Sequence, residues 1–355
     1  MHRRHFLGSL AALAAADVLG GTRLQALQPA SNPIPTPLDP VRPRRLAPGD
    51  TVALVAPASA TFRSSDLDIA RESLQALGFT VVLGGHLLDR HGYLAGQDAD
   101  RARDINQCFA NESVRAVLPI RGGWGSSRLL PYLNFDVIRN NPKVVLGFSD
   151  ITALLLAIHA RTGLVTFHGP NGLGRWDEYS VEYFRRLLIQ GEAVTFENPH
   201  KISERNSLTQ TEHRVQTITP GRARGRLLGG NLTVLTTIIG SDYLPPWDNA
   251  ILFCEDVDEG FYRLDRMLTQ MKLAGILSRI RGFVFGTCAE CGPGQGFGGL
   301  TLEEIFADHI KPLGVPAWSG AMIGHQTPQW TVPVGMDVQI DAEKGTIAMA
   351  EPAVV

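Results

Sequence analysis

The chain has 355 residues, of which 44% are hydrophobic and 19% charged, and its formal net charge is -2. This composition is typical of a globular protein with two domains and a sizeable core. A charge this close to zero leaves no broad cationic surface, which argues against nucleic acid or an anionic membrane as the main partner.

The first residues follow the pattern of an export signal. Arg3 and Arg4 precede a short, weakly hydrophobic run that ends near Ala16. This pattern resembles a twin-arginine signal and predicts a periplasmic protein, the alternative being an N-terminal amphipathic helix. The run is shorter than the roughly 20 residues that a membrane span needs, and no later segment supplies a span. Residues 1–43 are therefore interpreted as a signal followed by a proline-rich lead.

From Thr51 onward, predicted strands alternate with predicted helices. This alternation indicates a parallel sheet covered on both faces, which is a Rossmann-like or flavodoxin-like α/β domain over residues 44–177. Ligands of such sheets collect at the carboxyl ends of the strands. The predicted strands are 51–56, 80–83, 116–120 and 144–146, and the predicted helices are 67–77, 99–109 and a third that begins at Ile151.

A glycine cluster, Arg121 to Gly125, follows the third predicted strand. A dinucleotide-binding loop would follow the first strand with different spacing. A plain tight turn is one open interpretation. The other is an oxyanion loop, in which the N–H groups of Gly122 or Gly123 approach a reacting carbonyl closely.

The next predicted strand, 144–146, leads into Gly147, after which the chain presents Ser149 and turns at once into a helix rich in alanine and leucine. This layout is typical of a nucleophile held where helix N–H groups stabilise negative charge. The alternative is that Ser149 and Asp150 only cap the helix. The turn also departs from the G-x-S-x-G pattern, because Ile151 stands where the second glycine would be.

The second half is predicted as a mixed α+β domain over residues 220–355, joined to the first by a linker over 178–219. A buried-strand run ends in Glu255-Asp256, and the helix after it leaves Arg263 and Arg266 off its apolar face. A terminal hairpin is predicted from 336–341 and 346–350.

Candidate ligands for a metal are few in the sequence. Cys288 and Cys291 have CxxC spacing, but no second ligand pair of matching spacing is visible, and there is no HExxH motif. A disulfide or two free thiols is the preferred interpretation of this pair. We therefore expect neither a metal nor another cofactor. His325 lies in a loop between glycine and proline, and a histidine can act as a general base near neutral pH.

Five motifs occur in one order and together resemble the LD-carboxypeptidase family of serine peptidases, which includes murein tetrapeptide carboxypeptidases and microcin self-immunity carboxypeptidases. The resemblance covers nearly the whole chain from about Arg44. The motifs are Arg121 to Gly125, Gly147 to Thr152, Gly229 to Leu232, Glu255 to Arg266, and Gly324-His325.

The resemblance implies a catalytic triad at the interface of the two domains. Ser149 would be the nucleophile, His325 the base, and Glu255 the carboxylate that orients the imidazole. The backbone N–H groups of Asp150 and of Gly122 or Gly123 would form the oxyanion hole. The implied reaction is hydrolysis of the LD-peptide bond before a terminal D-amino acid of a peptidoglycan tetrapeptide. Members of the family are often dimeric, so a homodimer is an implied assembly.

Three polar residues of the second half are predicted substrate contacts. Asn231, Arg263 and Arg266 are candidates for binding the peptide backbone or its terminal carboxylate, although a surface ion pair with a nearby acid explains the arginines equally well. The alternative functions are a microcin-type immunity peptidase that acts on peptidyl-nucleotides or similar amides, and a non-catalytic wall-peptide binding protein. An aromatic side chain that stacks on a base would favour the former; the candidates are Trp124, Trp176 and Trp330.

Overall fold

The computed structural model describes residues 38–199, 209–210, 213–292 and 298–355, all within one unit, Pro35–Val355. The predicted export signal lies outside these ranges. The strands are β1 Thr51–Val55, β2 Thr80–Leu83, β3 Val114–Pro119, β4 Val144–Gly147, β5 Thr166–His168, β6 Thr195–Phe196, β7 Gln216–Thr219, β8 Arg222–Asn231, β9 Ile251–Val257, β10 Gly282–Ala289, β11 Ala317–Ser319, β12 Val332–Val334, β13 Asp337–Asp341 and β14 Thr346–Met349. The α-helices are α1 Ser64–Ala76, α2 Asp98–Ala110, α3 Phe135–Asn140, α4 Thr152–Thr162, α5 Glu178–Phe184, α6 Leu232–Thr237, α7 Phe261–Leu273 and α8 Leu302–His309.

The first sheet has six strands in the order β12-β5-β4-β3-β1-β2. Strands β1 to β5 are parallel to one another, which confirms the predicted parallel-sheet domain. The sequence did not predict β12, which pairs antiparallel with β5 at the edge of the sheet. An edge position tolerates Pro333, which has no N–H to donate to a neighbouring strand.

The second sheet has eight strands in the order β6-β14-β13-β8-β9-β10-β11-β7. Its centre, β8 to β11, is parallel, and antiparallel strands flank it on both sides. The predicted mixed α+β architecture is therefore confirmed. The terminal hairpin is confirmed as well, since β13 pairs antiparallel with β14.

The segment predicted as a linker contains more regular structure than expected. It holds α5, a π-helical stretch over Arg185–Gln190, and the edge strands β6 and β7 of the second sheet. Phe184, Leu187 and Leu188 from this segment are fully buried. Their burial explains why it folds against the rest of the protein rather than crossing open solvent.

Two contacts join the start of α4, which follows the first sheet, to the end of β8 in the second. The Thr152 hydroxyl accepts a hydrogen bond from the N–H of Asn231 at 2.9 Å. Gly230 has a φ of +143°, and a Cβ placed there would lie 2.5 Å from that hydroxyl oxygen. The close approach therefore depends on glycine at position 230.

Cys288 and Cys291 form a disulfide, and Cys108 and Cys254 are buried free thiols. Within the described ranges, no helix is both long and apolar enough to cross a membrane.

Candidate active site

Ser149 occupies a strained turn between β4 and α4. Its φ is +65°, a left-handed conformation that residues other than glycine rarely adopt. A single 3₁₀ turn, Ser149–Ile151, leads from it into α4. Backbone strain of this kind costs about 1–3 kcal/mol and clusters at functional sites. The predicted strand–turn–helix layout is therefore present, although Ile151 occupies the position of the second glycine in the G-x-S-x-G pattern.

The helix-cap interpretation of Ser149 and Asp150 is wrong. The residues that precede the 3₁₀ turn and α4 are Phe148 and Ile151, and neither helix start has a side-chain cap. The buried Asp150 carboxylate instead accepts a hydrogen bond from the N–H of Ser126 at 2.7 Å, and the Ser126 hydroxyl donates to the Asp150 carbonyl. Asp150 thus fixes the end of the glycine loop. Its burial raises the pKa of its carboxyl, against the opposing effect of these hydrogen bonds.

The structure brings Ser149, His325 and Glu255 into one hydrogen-bonded chain. His325 Nε2 lies 2.9 Å from Ser149 Oγ, and His325 Nδ1 lies 2.7 Å from Glu255 Oε2. The backbone N–H of His325 donates to the same carboxylate oxygen at 3.2 Å. Only glycine fits at position 324, because a Cβ there would lie 2.1 Å from Glu255 Oε2.

Glu255 lies inside β9 rather than after its end, because the strand continues to Val257. Successive residues of a strand point to opposite faces of the sheet, so the side chains of Glu255 and Asp256 lie in different surroundings. Glu255 is fully buried, and its carboxylate is directed at His325.

Burial and pairing act in opposite directions on the two titratable groups. Burial alone would raise the pKa of Glu255, but the hydrogen bond and charge of His325 outweigh it and lower that pKa. Burial alone would lower the pKa of His325, but Glu255 outweighs it and raises that pKa. The neighbouring His168 is completely buried, which lowers its pKa to about 4. His168 is therefore neutral near neutral pH.

The glycine loop after β3 lies against the serine. A Cβ on Gly122 would lie 3.0 Å from Ser149 Cβ and 3.2 Å from Ser149 Oγ. Gly123 has a φ of +112° and packs against Ser59, whose hydroxyl accepts a hydrogen bond from the N–H of Trp124 at 3.0 Å. The loop is thus a close neighbour of Ser149. This position next to the serine is the one that the oxyanion interpretation requires.

Two cavities meet at Ser149. The smaller one, of about 180 Å³, is lined in part by Trp124, Asn231, Asp256 and Glu259. The larger one, of about 410 Å³, is lined by Arg121, Gly122, Phe148, Asn171, His325 and others. The serine hydroxyl is therefore accessible to a ligand from both cavities.

The predicted substrate contacts divide into two groups. Trp124, 45% exposed, and Asn231 line the smaller cavity. The Asn231 side chain also caps α6 through the N–H of Val234 and donates to Asp256, both at 3.0 Å. Trp330, in contrast, is fully buried, and neither Trp330 nor Trp176 is among the described residues that line the two cavities.

Arg263 and Arg266 are not brought to either cavity. Both lie on an exposed face of α7, where Arg263 pairs with Glu259 at 3.3 Å and the Arg266 guanidinium lies 5.7 Å from the ring centre of Tyr262. For Arg263, the structure therefore supports the surface ion pair that the sequence left open. The amphipathic pattern of the helix predicted this outward face but not its distance from the serine.

Sequence reasoning did not single out three residues that line the cavities: Arg121, Asp256 and Glu259. Asp256 is 2% exposed, and burial, followed by the charge of Glu255, raises its pKa to about 6. The sequence does contain a signal for Asp256, which directly follows Glu255 on a predicted strand. Neighbouring residues of a strand face opposite sides of the sheet. Across the described part of the chain, no group of three or more metal-ligating side chains is found.

Comparison with known proteins gives consistent matches across the chain. Residues 52–169 match the LD-carboxypeptidase N-terminal domain, and residues 224–340 match the LD-carboxypeptidase C-terminal domain. A probable murein peptide carboxypeptidase of Bacillus subtilis is 38% identical over 87% of this chain and 94% of its own length. The murein tetrapeptide carboxypeptidase of Pseudomonas aeruginosa is 32% identical over 82% of this chain and 94% of its own length.

A solved structure is similar over most of the fold. The microcin C7 self-immunity protein MccF, in its wild-type apo state, superposes with a TM-score of 0.79 at 26% identity. The match covers 89% of this chain and all of that chain.

Proposed function

Because the chain belongs to the LD-carboxypeptidase family, a family of serine-type carboxypeptidases, we propose that it cleaves the LD-peptide bond before the terminal D-amino acid of peptidoglycan tetrapeptides. The observation that carries the proposal is the hydrogen-bonded chain from Ser149 through His325 to Glu255, with separations of 2.9 and 2.7 Å. The first lies within the range that proton transfer to a catalytic base requires, and the second is that of a hydrogen bond that orients this base.

In the proposed acylation step, Ser149 Oγ attacks the carbonyl carbon of the LD-peptide bond while His325 Nε2 takes the hydroxyl proton. The tetrahedral intermediate collapses, the C–N bond breaks, and His325 returns the proton to the leaving amine. Water then attacks the acyl-enzyme with the same base, which releases the shortened peptide and restores Ser149. Glu255 holds the Nδ1–H tautomer and stabilises the imidazolium that forms twice in each cycle.

The developing oxyanion needs N–H donors close to the serine. A Cβ on Gly122 would lie 3.0 Å from Ser149 Cβ, and Asp150 is the second residue of the 3₁₀ turn that begins at the serine. We assign the oxyanion hole to the N–H of Asp150 together with that of Gly122 or Gly123. Each such donor typically contributes about 2.7–4 kcal/mol of transition-state stabilisation.

The test is incubation of the purified protein with the murein tetrapeptide L-Ala-D-Glu-meso-diaminopimelate-D-Ala, with release of D-alanine followed by chromatography. Wild type is expected to release D-alanine stoichiometrically, and Ser149→Ala is expected to release none. Folded wild-type protein that releases no D-alanine, as a non-catalytic binding protein would, refutes the proposal, and so does equal release by Ser149→Ala.

A second candidate function is a microcin-type immunity peptidase that acts on aminoacyl-nucleotide analogues. The observation in its favour is Trp124, a half-exposed aromatic in the cavity beside Ser149, where it could stack on a base. The similarity in fold to MccF supports it as well. A comparison of kcat/KM for an aminoacyl sulfamoyl-adenosine and for the tetrapeptide discriminates between the two functions.

We also propose that the protein is exported through the twin-arginine route. The support is the sequence of the first residues, Arg3-Arg4 followed by a short apolar run. In a cell-fractionation experiment the wild type should reach the periplasm, and an Arg3→Lys, Arg4→Lys double variant should stay in the cytoplasm. Equal distribution of the two proteins would contradict this proposal.

A further inference from the structure

A further cavity, of about 360 Å³, lies at the edge of the first sheet opposite to Ser149. Arg115 is the second residue of β3 and Lys143 directly precedes β4, so both lie at the amino ends of parallel strands. The carboxyl ends of the same strands lead to the glycine loop and to Ser149. The described lining of this cavity shares no residue with the two cavities at Ser149. It consists of Arg44, Glu112, Arg115, Asn141, Pro142 and Lys143.

Positive charge exceeds negative charge in this cavity, which we call the basic cavity. Three cations, Arg44, Arg115 and Lys143, share its lining with one carboxylate, that of Glu112. Among the residues that the structure describes, neither arginine forms an ion pair or a side-chain hydrogen bond, and Glu112 forms no ion pair. A guanidinium without a partner in the protein is available to bind a carboxylate or a phosphate.

Lys143 is buried, with 6% of its surface exposed, and no described carboxylate pairs with it. Its ammonium donates hydrogen bonds to the carbonyl oxygens of Cys108, at 3.1 Å, and of Asn111. An ammonium group carries three N–H donors. The third donor has no acceptor within the described part of the chain, and a buried charged donor is costly to leave unpaired. An oxygen of a bound anion would satisfy it.

Capping of α2 explains part of this arrangement. Cys108 and Asn111 lie at the C-terminal end of that helix, where a cation interacts favourably with the last carbonyl groups. Lys143 fills this role with two of its N–H donors. The role does not account for Arg115, because burial and then the charge of Arg115 lower the pKa of Lys143. Two cations that repel each other are stabilised by an anion that contacts both.

Another cavity of the same volume, about 360 Å³, shows a more balanced arrangement of charge. Three arginines line it, but two aspartates line it as well, and Arg224 lies 3.8 Å from Asp337. The charged residues of this lining are Arg224, Arg226, Arg281, Asp248 and Asp337. The presence of several arginines is therefore not what distinguishes the basic cavity. Its distinguishing features are the excess of cations and the buried lysine.

We propose that the basic cavity is a binding site for a phosphate group, held by Lys143, Arg115 and Arg44. A phosphate monoester carries a charge of about −1.5 to −2 near neutral pH and offers three strong acceptor oxygens. These oxygens suit the third N–H of the lysine and the planar N–H pairs of two guanidinium groups. The volume of about 360 Å³ is in the range of small-molecule sites, so an organic group esterified to the phosphate also fits. This site does not depend on the proposed peptidase function.

The experiment is isothermal titration calorimetry of the purified protein near neutral pH and at constant ionic strength. The ligands are inorganic phosphate, glycerol 3-phosphate and acetate. Wild type is expected to bind inorganic phosphate with a Kd of about 1 mM or below, and acetate at least about tenfold more weakly. Arg115→Gln should weaken phosphate binding by about 10- to 100-fold, as expected when a hydrogen bond between charged groups is lost. Glycerol 3-phosphate binding equal to that of inorganic phosphate shows that the site accepts an ester, and weaker binding shows that it takes the free ion.

Two further variants keep the test decisive. Arg44 is exposed, so Arg44→Gln is expected to fold normally and to weaken phosphate binding by about three- to fivefold. The matched control is Arg224→Gln, which removes a strand arginine from the more balanced cavity and should bind phosphate like wild type. Wild type that binds phosphate no better than acetate overturns the proposal. Unchanged affinity in both Arg115→Gln and Arg44→Gln, or an equal loss in Arg224→Gln, overturns it as well. Cleavage of a peptide is not part of the measurement, so the proposed function stands or fails separately.

Discussion

At the scale of single residues, the site depends on Ser149 in a backbone conformation that serine disfavours. Its φ of +65° is stabilised by neighbours that leave it little freedom: Gly122 lies against its Cβ, and His325 bonds its hydroxyl. A left-handed residue with a Cβ costs roughly 1–2 kcal/mol relative to the right-handed form. The rest of the fold must offset this strain, which holds the hydroxyl at the meeting point of the two cavities.

The pH dependence of kcat/KM should report His325. The active form needs a neutral imidazole, and Glu255 raises the pKa of His325 in spite of burial. Activity should therefore fall as the pH drops through a value above about 6.5, the ordinary pKa of histidine. In Glu255→Gln the largest influence that raises the pKa of His325 is lost while burial remains, so the acid limb should move to lower pH, and kcat should fall about 10⁴-fold.

Asp256 could also give rise to an acid limb in this pH profile, because its pKa of about 6 is close to that of a histidine. A variant of Asp256 is therefore the control. An Asp256→Asn variant should retain an acid limb. If that limb disappears, or if Glu255→Gln leaves the limb where it is in wild type, the assignment of the limb to His325 is wrong.

At the scale of elements, three loops at strand ends assemble the site. The loop after β3 brings Gly122, the turn after β4 brings Ser149, and the segment between β11 and β12 brings His325. Asp150 ties the first two together through the N–H of Ser126 at 2.7 Å. The glycine loop and the nucleophile turn are therefore positioned as one unit.

Gly122→Ala tests this arrangement. The new methyl group would lie 3.0 Å from Ser149 Cβ, closer than ordinary contact, so it must displace the serine or the loop. We expect kcat to fall by about 10²- to 10³-fold, as when one oxyanion donor is lost. The control is Gly85→Ala, whose methyl group would meet a single atom of the described residues within 4 Å, Asp104 Oδ1 at 3.6 Å. A Gly122→Ala enzyme with the kcat of wild type would show that the loop takes no part in the reaction.

The sequence predicted some of these elements well and others poorly, for physical reasons. The parallel strands β1, β3 and β4 are predictable because their residues are buried on both faces and give continuous apolar runs. Strand β12 has three residues, one of them proline, and only its pairing with β5 makes it a strand. The segment 178–219 has the sequence pattern of a linker because its polar residues obscure the few buried ones, such as Phe184 and Leu187.

The same contrast holds for the site. Ser149, Glu255 and His325 were predicted because each belongs to a motif, and five motifs in order are specific where one is not. The charged lining of the two cavities was not predicted, because it depends on which side of a strand or helix faces the serine. Glu259 and Arg263 lie one helical turn apart, yet only Glu259 lines a cavity.

At the scale of the whole molecule, both sheets contribute to one reaction centre. Ser149 follows the first sheet, and Glu255 lies in the second, 106 positions later in the chain. The hydrogen bond from the N–H of Asn231 to the Thr152 hydroxyl connects the nucleophile helix to the second sheet just beside the site. The geometry of the site therefore depends on how these two elements pack.

Thr152→Val measures the strength of this connection. Valine has nearly the shape of threonine but leaves the buried N–H of Asn231 without its acceptor, so the free energy of unfolding should fall by about 1–3 kcal/mol. Chemical denaturation with urea is the measurement. The control, Ser278→Ala, removes an exposed hydroxyl whose one hydrogen bond among the described residues is to the carbonyl of Gly275, and should change the stability by less than about 0.5 kcal/mol. Equal stability of the two variants would contradict a role for this hydrogen bond.

The central claim is that Ser149, His325 and Glu255 act together as a serine nucleophile with its base. The most direct test is reaction of the purified protein with a fluorophosphonate, followed by mass spectrometry of the intact protein and its peptides. The account predicts one adduct per chain, on Ser149, formed rapidly in wild type and at least 100-fold more slowly in a folded His325→Ala variant. An unlabelled Ser149, or labelling at the same rate without His325, would contradict it.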